Sequence, residues 1–233
     1  MNSRKKTTTV LKKMTPNLMV EDMNRTIVTQ SNGPVIRLAR SQIERASEVV
    51  ARAFQDDPLW KHIFPSKIKR ASGLSWLTIG TIRYAQRYGE VYTTKSVDGL
   101  AVWLGPDNTT MTLGKMLRAG MFAVPLKIGL TALARLINFQ IHADKLHKQS
   151  VSAQHWYLLL LGVEPSCQGE GIGTSLIQPV QAWADADRLP CYLETLNEKN
   201  IPFYQKHGYN VVSDVVLPGS GLHIWALLRR TTQ

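Results

Sequence analysis

The chain holds only two cysteines, Cys167 and Cys191, far apart and without CxxC spacing or nearby histidines. That excludes a disulfide framework and argues against a zinc site, so no metal is expected. Long hydrophobic runs are also missing. Arg70 and Arg83 bracket one apolar stretch, Lys127 and Arg135 interrupt another, and Glu164 ends a third. None reaches the ~20 residues that a membrane-spanning helix needs. No apolar segment with a small-residue cleavage site lies near the start. A cytoplasmic protein with no membrane span is therefore expected. Acidic residues are scarce, 17 against 28 Lys and Arg, for a formal net charge of +11. Such an excess attracts nucleic acid, acidic membrane surfaces or phosphorylated ligands. There is no basic helix and no basic–aromatic alternation, hence no clear nucleic-acid motif.

What is present is enough for one domain, or one domain with an insertion, in 233 residues. Residues 1–33 carry six Lys or Arg against two acidic residues, with weak periodicity, and read as a flexible basic arm. The "SNGP" turn signal at Ser31–Pro34 closes it, and the folded domain spans 34–233. "VIRLAR" reads as a strand, followed by a helix over 41–54 with Ser41 and Glu44 as a capping box and "DDP" as its stop. A second helix is expected over about 71–86, then a hairpin around Val97–Gly99. Residues 111–150 are helical by composition, broken at Gly120 and Pro125. Their Met, Leu and Phe residues fit either an insertion packing on the domain or a membrane-surface helix. From His155 to Arg230, strands and helices alternate and end in a hairpin, which predicts a mixed α/β sheet. "YLLLLGV" reads as a strand buried on both faces.

"CQGEGIGTSL", Cys167 to Leu176, puts three glycines just ahead of a helix. Such a loop offers unpaired N–H groups and the positive end of the helix dipole, a site for phosphate. A Walker A loop requires a Lys that is absent here, and the GxGxxG dinucleotide spacing fails at Thr174 and at Leu176. Gln168, Gly171 and Gly173 satisfy QxxGxG instead. Pro179, inside the following helix, removes one hydrogen bond and predicts a kink.

With "LLLLGV" before this loop and "YLET" and "NIPFYQKHGY" after it, the chain resembles the GCN5-related N-acetyltransferase (GNAT) superfamily. The likeness extends loosely over Val35–Arg230 and firmly over His155–Arg230, and the part from "LETLNEKN" onward is similar to puromycin N-acetyltransferases. The resemblance implies a mostly antiparallel mixed sheet flanked by helices, with residues 111–150 as a helical insertion between the central strands. It implies transfer of an acetyl group from acetyl-CoA to a primary amine, by direct attack. It implies a 155–230 acetyl-CoA-binding core in which Leu161, Gly162 and Val163 meet the pantetheine arm. Gln168, Gly169, Glu170, Gly171, Ile172, Gly173 and Thr174 then cradle the pyrophosphate, and Asn200 and Tyr204 meet the cofactor. Gly162, with Pro165 nearby, is expected to weaken the strand ladder and free backbone groups for this contact.

Tyr204 is the candidate general acid, since a phenol with pKa near 10 can protonate a departing thiolate. Many family members place a Glu on the strand before the loop, where "HWYLLLLGV" offers only His155 and Tyr157. Glu194, at the end of "CYLET", is then the candidate base, acting directly or through water. Asp56, Asp57 and Trp156 are candidates for the wall of the amine-binding cleft. The expected partner is a small-molecule amine, and the expected assembly a monomer or homodimer. Two other readings remain open at this point: a non-catalytic acyl-CoA-binding regulator, and an acetyltransferase of proteins or peptides.

Overall fold

The computed structural model describes residues 27–28 and 34–231. Apart from the two-residue strand β1, the basic arm lies outside them. Eight strands form one sheet in the order β1-β2-β3-β4-β5-β6-β8-β7. They are β1 (Ile27–Val28), β2 (Pro34–Arg37), β3 (Gly89–Thr94), β4 (Gly99–Leu104), β5 (Trp156–Val163), β6 (Cys191–Thr195), β7 (Asn210–Val216) and β8 (His223–Arg229). Every pairing is antiparallel except β5 with β6. That parallel pair needs a crossover, supplied by helix α7 (Ile172–Ala186). The result is the mixed, mostly antiparallel α/β sheet flanked by helices that the sequence implied.

Strand β4 divides the core. Its Leu100, Val102 and Leu104 point into one cluster with Val50 of α1 (Ile43–Ala53) and Leu77 of α3 (Lys67–Tyr88). Its Ala101 and Trp103 point into another with Leu176 and Val180 of α7. Period-2 alternation therefore feeds both faces of the sheet from one fully buried strand. The strand buried on both faces is β4 and not β5, most of whose residues are only half-buried. The apolar run of β5 is left partly open because its neighbour departs, as described below.

Several helix boundaries differ from expectation for local reasons. The Ser41–Glu44 capping box does not form; the Gln42 side-chain oxygen accepts from the Ala39 N–H at 3.0 Å, and a short 3-10 turn precedes α1. "DDP" both ends α1 and starts a helix the sequence reading missed, α2 (Pro58–Ile63). There Asp57 caps the helix by accepting from the Leu59 N–H at 3.0 Å, with Pro58 in the first turn. Helix α7 continues through Pro179.

The segment between β4 and β5 forms α4 (Leu113–Arg118), α5 (Val124–Ile128) and α6 (Leu130–Ser150). Gly120 and Gly129 have φ of +83° and +78°, so the breaks fall where the chain turns left-handed. The second break is at Gly129 and not at Pro125, which sits harmlessly in the first turn of α5. Helix α6 reaches from α2 across to β7 and β8.

Gly89 joins α3 to β3 in extended conformation, and a Cβ there would lie 2.0 Å from the Trp103 carbonyl oxygen. Because the obstacle is backbone, Gly89→Ala is expected to destabilise the fold by about 3 kcal/mol, read as a lowered Tm in thermal denaturation.

Candidate active site

Strands β5 and β6 are in register only over Trp156–Cys191, Tyr157–Tyr192 and Leu158–Leu193. Both strands run on, β5 to Val163 and β6 to Thr195, without pairing to each other. Opposite β4, the register of β5 skips Leu159, a bulge that bends it at the point of parting. The sheet thus opens into a wedge after Leu158.

The orientation of the open edge follows from the ladder. The Glu164 N–H donates to the Asp98 carbonyl at 2.8 Å, so the neighbouring Gly99–Val163 pair falls at a non-hydrogen-bonded position of the antiparallel alternation. The N–H and carbonyl of Val163 then face away from β4, into the wedge, and so do those of Leu161 two residues earlier. Gly162 does not interrupt the β4 ladder, where it is in register with Leu100. Its missing side chain admits α1 instead: a Cβ there would lie 3.1 Å from the Phe54 ring and 3.5 Å from Ala53.

The glycine loop follows at the mouth of the wedge. Gly169 and Gly171 have φ of +86° and +85°, a conformation that turns successive N–H groups in one direction and that side chains resist. Gly171 is the N-cap of α7, with no side-chain cap and no acidic residue in the first helical turn. The N–H groups of Ile172, Gly173 and Thr174 therefore meet no compensating side chain of the cap or first turn. Gly173 serves packing, since a Cβ there would lie 3.3 Å from the Phe203 ring of α8 (Ile201–Lys206). Thr174 Oγ1 lies 3.0 Å from His207 Nε2, a second tie between the start of α7 and the end of α8. Gln168 turns inward, its amide donating to the Val163 carbonyl at 3.1 Å. It holds the loop against β5, where the sequence had suggested a direct anion donor. Glu170 is exposed.

Glu194 stands on β6 beside the parting. Its carboxylate accepts from Tyr157 Oη at 2.6 Å and from Tyr192 Oη at 2.9 Å. Burial raises the Glu194 pKa to about 7 against the lowering effect of these two phenols, with Asp144 adding a small upward push. Both tyrosines are held in the protonated form, burial being the main cause. Tyr192 in turn stacks on His147 of α6, with ring centroids 4.3 Å apart and planes 6° apart. His147 Nε2 meets His155 Nε2 at 2.7 Å, and His155 Nδ1 meets the Ala153 carbonyl at 2.7 Å. Since that carbonyl only accepts, neutral His155 carries its proton on Nδ1 and the His147 N–H donates to it. Burial lowers the pKa of His147 to about 4 and also lowers that of His155, so both rings are neutral at physiological pH. His155 is thus a buried hydrogen-bonding residue.

Tyr204, on α8, is buried against the α7 face of the sheet, its ring 5.1 Å from Phe203 and 5.8 Å from Tyr209. Burial pushes its pKa up, so the phenol keeps its proton. The Asn200 amide donates to Thr195 Oγ1 at 3.3 Å, tying α8 to the end of β6.

The other candidates fall elsewhere. The Asp57 carboxylate is engaged as the α2 cap, with burial raising its pKa to about 6 against two backbone hydrogen bonds. Asp56 is a surface residue paired with Lys61 at 3.1 Å. Trp156 packs against Trp183 of α7, in the cluster on the face opposite the helices α1 and α3. None of the three joins the group around Glu194. A surface cleft of about 780 Å³ between α1, α3 and residues 164–166 is lined by none of the predicted site residues. That cleft lies apart from the group around Glu194. Sequence reading missed Tyr192 and His147. Tyr192 was within reach, because residues i and i+2 of a strand share a face, and Glu194 follows it by two.

An opened parallel pair, an inward-facing β5 edge and an uncapped helix start bring backbone groups of β5 and of the α7 N-terminus together at one wedge. Residues 128–209 match the Acetyltransferase (GNAT) family model. Over these residues the chain is similar to GNAT acetyltransferases. An uncharacterized N-acetyltransferase of Schizosaccharomyces pombe is 26% identical over 181 residues, covering 74% of this chain and 72% of that protein. A probable serine/threonine-protein kinase of Dictyostelium discoideum is 24% identical over 96% of this chain, which spans only 35% of that protein. The fold of the chain is shared with the crystal structure of "histone acetyltransferase HPA2 and related acetyltransferase" from Corynebacterium glutamicum. That structure has a TM-score of 0.61 at 16% identity, over 88% of this chain and 98% of the other. Arylalkylamine N-acetyltransferase 2 from Aedes aegypti has a TM-score of 0.52 at 10% identity, over 85% and 98%. Among the described residues no helix is long and apolar enough to cross a membrane, and no cluster of His, Cys, Asp or Glu has the makings of a metal site.

Proposed function

We propose that the chain is an acetyltransferase of GNAT type that transfers an acetyl group from acetyl-CoA to the primary amine of a small molecule, by direct attack of the amine. The observation that carries this reading is Glu194, a carboxylate with pKa about 7 held by two phenols beside the parting of β5 and β6. Acetyl-CoA supplies an acyl group activated as a thioester. The edges of Leu161 and Val163 pair with its amide-bearing arm as an added strand would. The N–H groups from Gly169 to Thr174 take the pyrophosphate, and the helix dipole of α7 strengthens that hold. Glu194 receives the proton of the incoming ammonium group, directly or through one water, and near neutral pH it is poised to do so. As the C–S bond breaks Tyr204 gives its proton to the leaving sulfur, and it is restored by the second proton that the nitrogen sheds as the amide forms. The Val163 N–H, facing the wedge, is the donor for charge developing on the acetyl oxygen.

The small-molecule acceptor is supported by α6, which reaches across this side of the sheet and packs His147 on Tyr192, narrowing the approach to Glu194. A non-catalytic acyl-CoA binder drew its support from the lack of a carboxylate on β5. That support falls away because β6 provides the carboxylate and β5 only a phenol to hold it. The resemblance to puromycin N-acetyltransferases bears on the donor half of the site and names no acceptor. Tyr204→Phe is expected to lower kcat by about a hundredfold while acetyl-CoA Kd stays within about twofold, measured by steady-state kinetics and calorimetry. Normal turnover in that variant removes Tyr204 from the mechanism.

A further inference from the structure

The insertion buries one side and leaves another apolar side uncovered. Leu126 is 90% exposed, Leu130 77%, Phe122 73%, Leu113 71%, Ile141 61% and Ile137 49%. On α6 the last residues follow one line, Leu130, Ile137 and Ile141 recurring at i, i+7 and i+11. The opposite side of the same helix is the packed one, with Ala132, Ala143, Leu146 and His147 buried. Isolated surface leucines are ordinary, but these six, with Leu117 at 50% as a seventh, form within one segment a surface that asks for a partner.

Charge identifies the partner. From residue 108 to residue 143 the sequence contains Lys115, Arg118, Lys127 and Arg135 and no Asp or Glu. Arg118 and Lys127 are exposed among the apolar residues, and Lys145 and Lys148 extend the exposed side of α6 beyond Ile141, beside the half-buried Asp144 that accepts from the Gln140 amide at 2.7 Å. A second copy of the chain is a poor occupant, because an isologous contact would set this cationic patch against itself without counter-charge. An anionic lipid surface matches both features, since apolar side chains enter the acyl boundary while Lys and Arg stay at the headgroups.

We infer that the exposed side of α4, α5 and α6 docks the domain on the surface of an anionic phospholipid membrane. Its inner side closes over the Glu194 group, so one insertion faces the bilayer and the acceptor site at once. Docking of this kind is peripheral and reversible, and it does not depend on the acetyl-transfer reading.

The test is co-sedimentation of the full chain with phosphatidylcholine vesicles made with and without phosphatidylserine, at low and high salt. Binding is expected to the phosphatidylserine vesicles, and to weaken as salt rises. Leu126→Ser with Leu130→Ser is expected to weaken it about tenfold or more, and Arg118→Glu with Lys127→Glu to do the same by reversing charge. Both double variants should keep the wild-type thermal melt. Equal binding of wild type and both variants would assign the attraction to the basic arm and overturn the inference. So would indifference to phosphatidylserine, or a wild-type dimer in light scattering that the Leu variants dissociate.

Discussion

Glu194→Gln is expected to lower turnover about a thousandfold while acetyl-CoA affinity stays within about twofold, the size of a lost general base. The change keeps shape and removes charge: one tyrosine hydroxyl still donates to the amide oxygen, while the other must accept from the amide NH2. The wild-type pH profile of kcat/KM should rise through about pH 7, where the Glu194 carboxyl ionises, and that limb should vanish in the Gln variant. Tyr157→Phe moves the limb to higher pH, because Tyr157 is the larger of the two hydrogen-bonding influences that lower the Glu194 pKa. The sign for stability is opposite to that for activity. Between the ordinary Glu value of 4.5 and about 7 the unfolded chain has ionised this group and the folded chain has not. Stability contributed by burying the neutral carboxyl is therefore lost as pH rises through that window. A pH-dependent kcat/KM with no limb near 7 would detach Glu194 from the rate.

Gly171→Asp attacks the other half of the site. Gly171 caps α7 with φ +85°, so any side chain there is strained, and a carboxylate would occupy the positive end of the helix where phosphate is proposed to bind. Strain and like-charge repulsion together cost about 3 kcal/mol, which weakens acetyl-CoA binding roughly a hundredfold. Isothermal calorimetry reads this directly, and Gly169→Asp, one turn of the loop earlier, should show a weaker version of the same loss. Unchanged affinity in Gly171→Asp would sink the assignment of the loop.

The two halves of the site differ in how far they could be read from residues alone. The proposed donor half could be read from residues because it is carried by consecutive backbone: glycines with positive φ, a helix start, and a strand edge whose register follows from alternation. Even there, Gln168 and Gly173 turned out to serve packing, Gln168 on Val163 and Gly173 under Phe203, contacts that join segments separated in sequence. The Glu194 group was half legible. Its carboxylate was found by elimination, but its partners come from β5 and α6, and no spacing announces that Tyr157 pairs with Tyr192 or that His147 stacks on it. The acidic pair Asp56 and Asp57 misled for a plain reason. Asp before Pro is as strong a helix-start signal as it is a binding signal, and here Asp57 caps α2. Trp156 misled because strand alternation sends it to the α7 face, while Tyr157 beside it meets Glu194.

The most direct test of the whole account is incubation of the full chain with acetyl-CoA and a panel of small primary amines and lysine peptides, with acetylated products detected by mass. The account predicts acetylation of at least one small amine by the wild type and its loss in Glu194→Gln. Acetyl-CoA binding with no acetylated product from any amine, or product on the peptides alone, would contradict it.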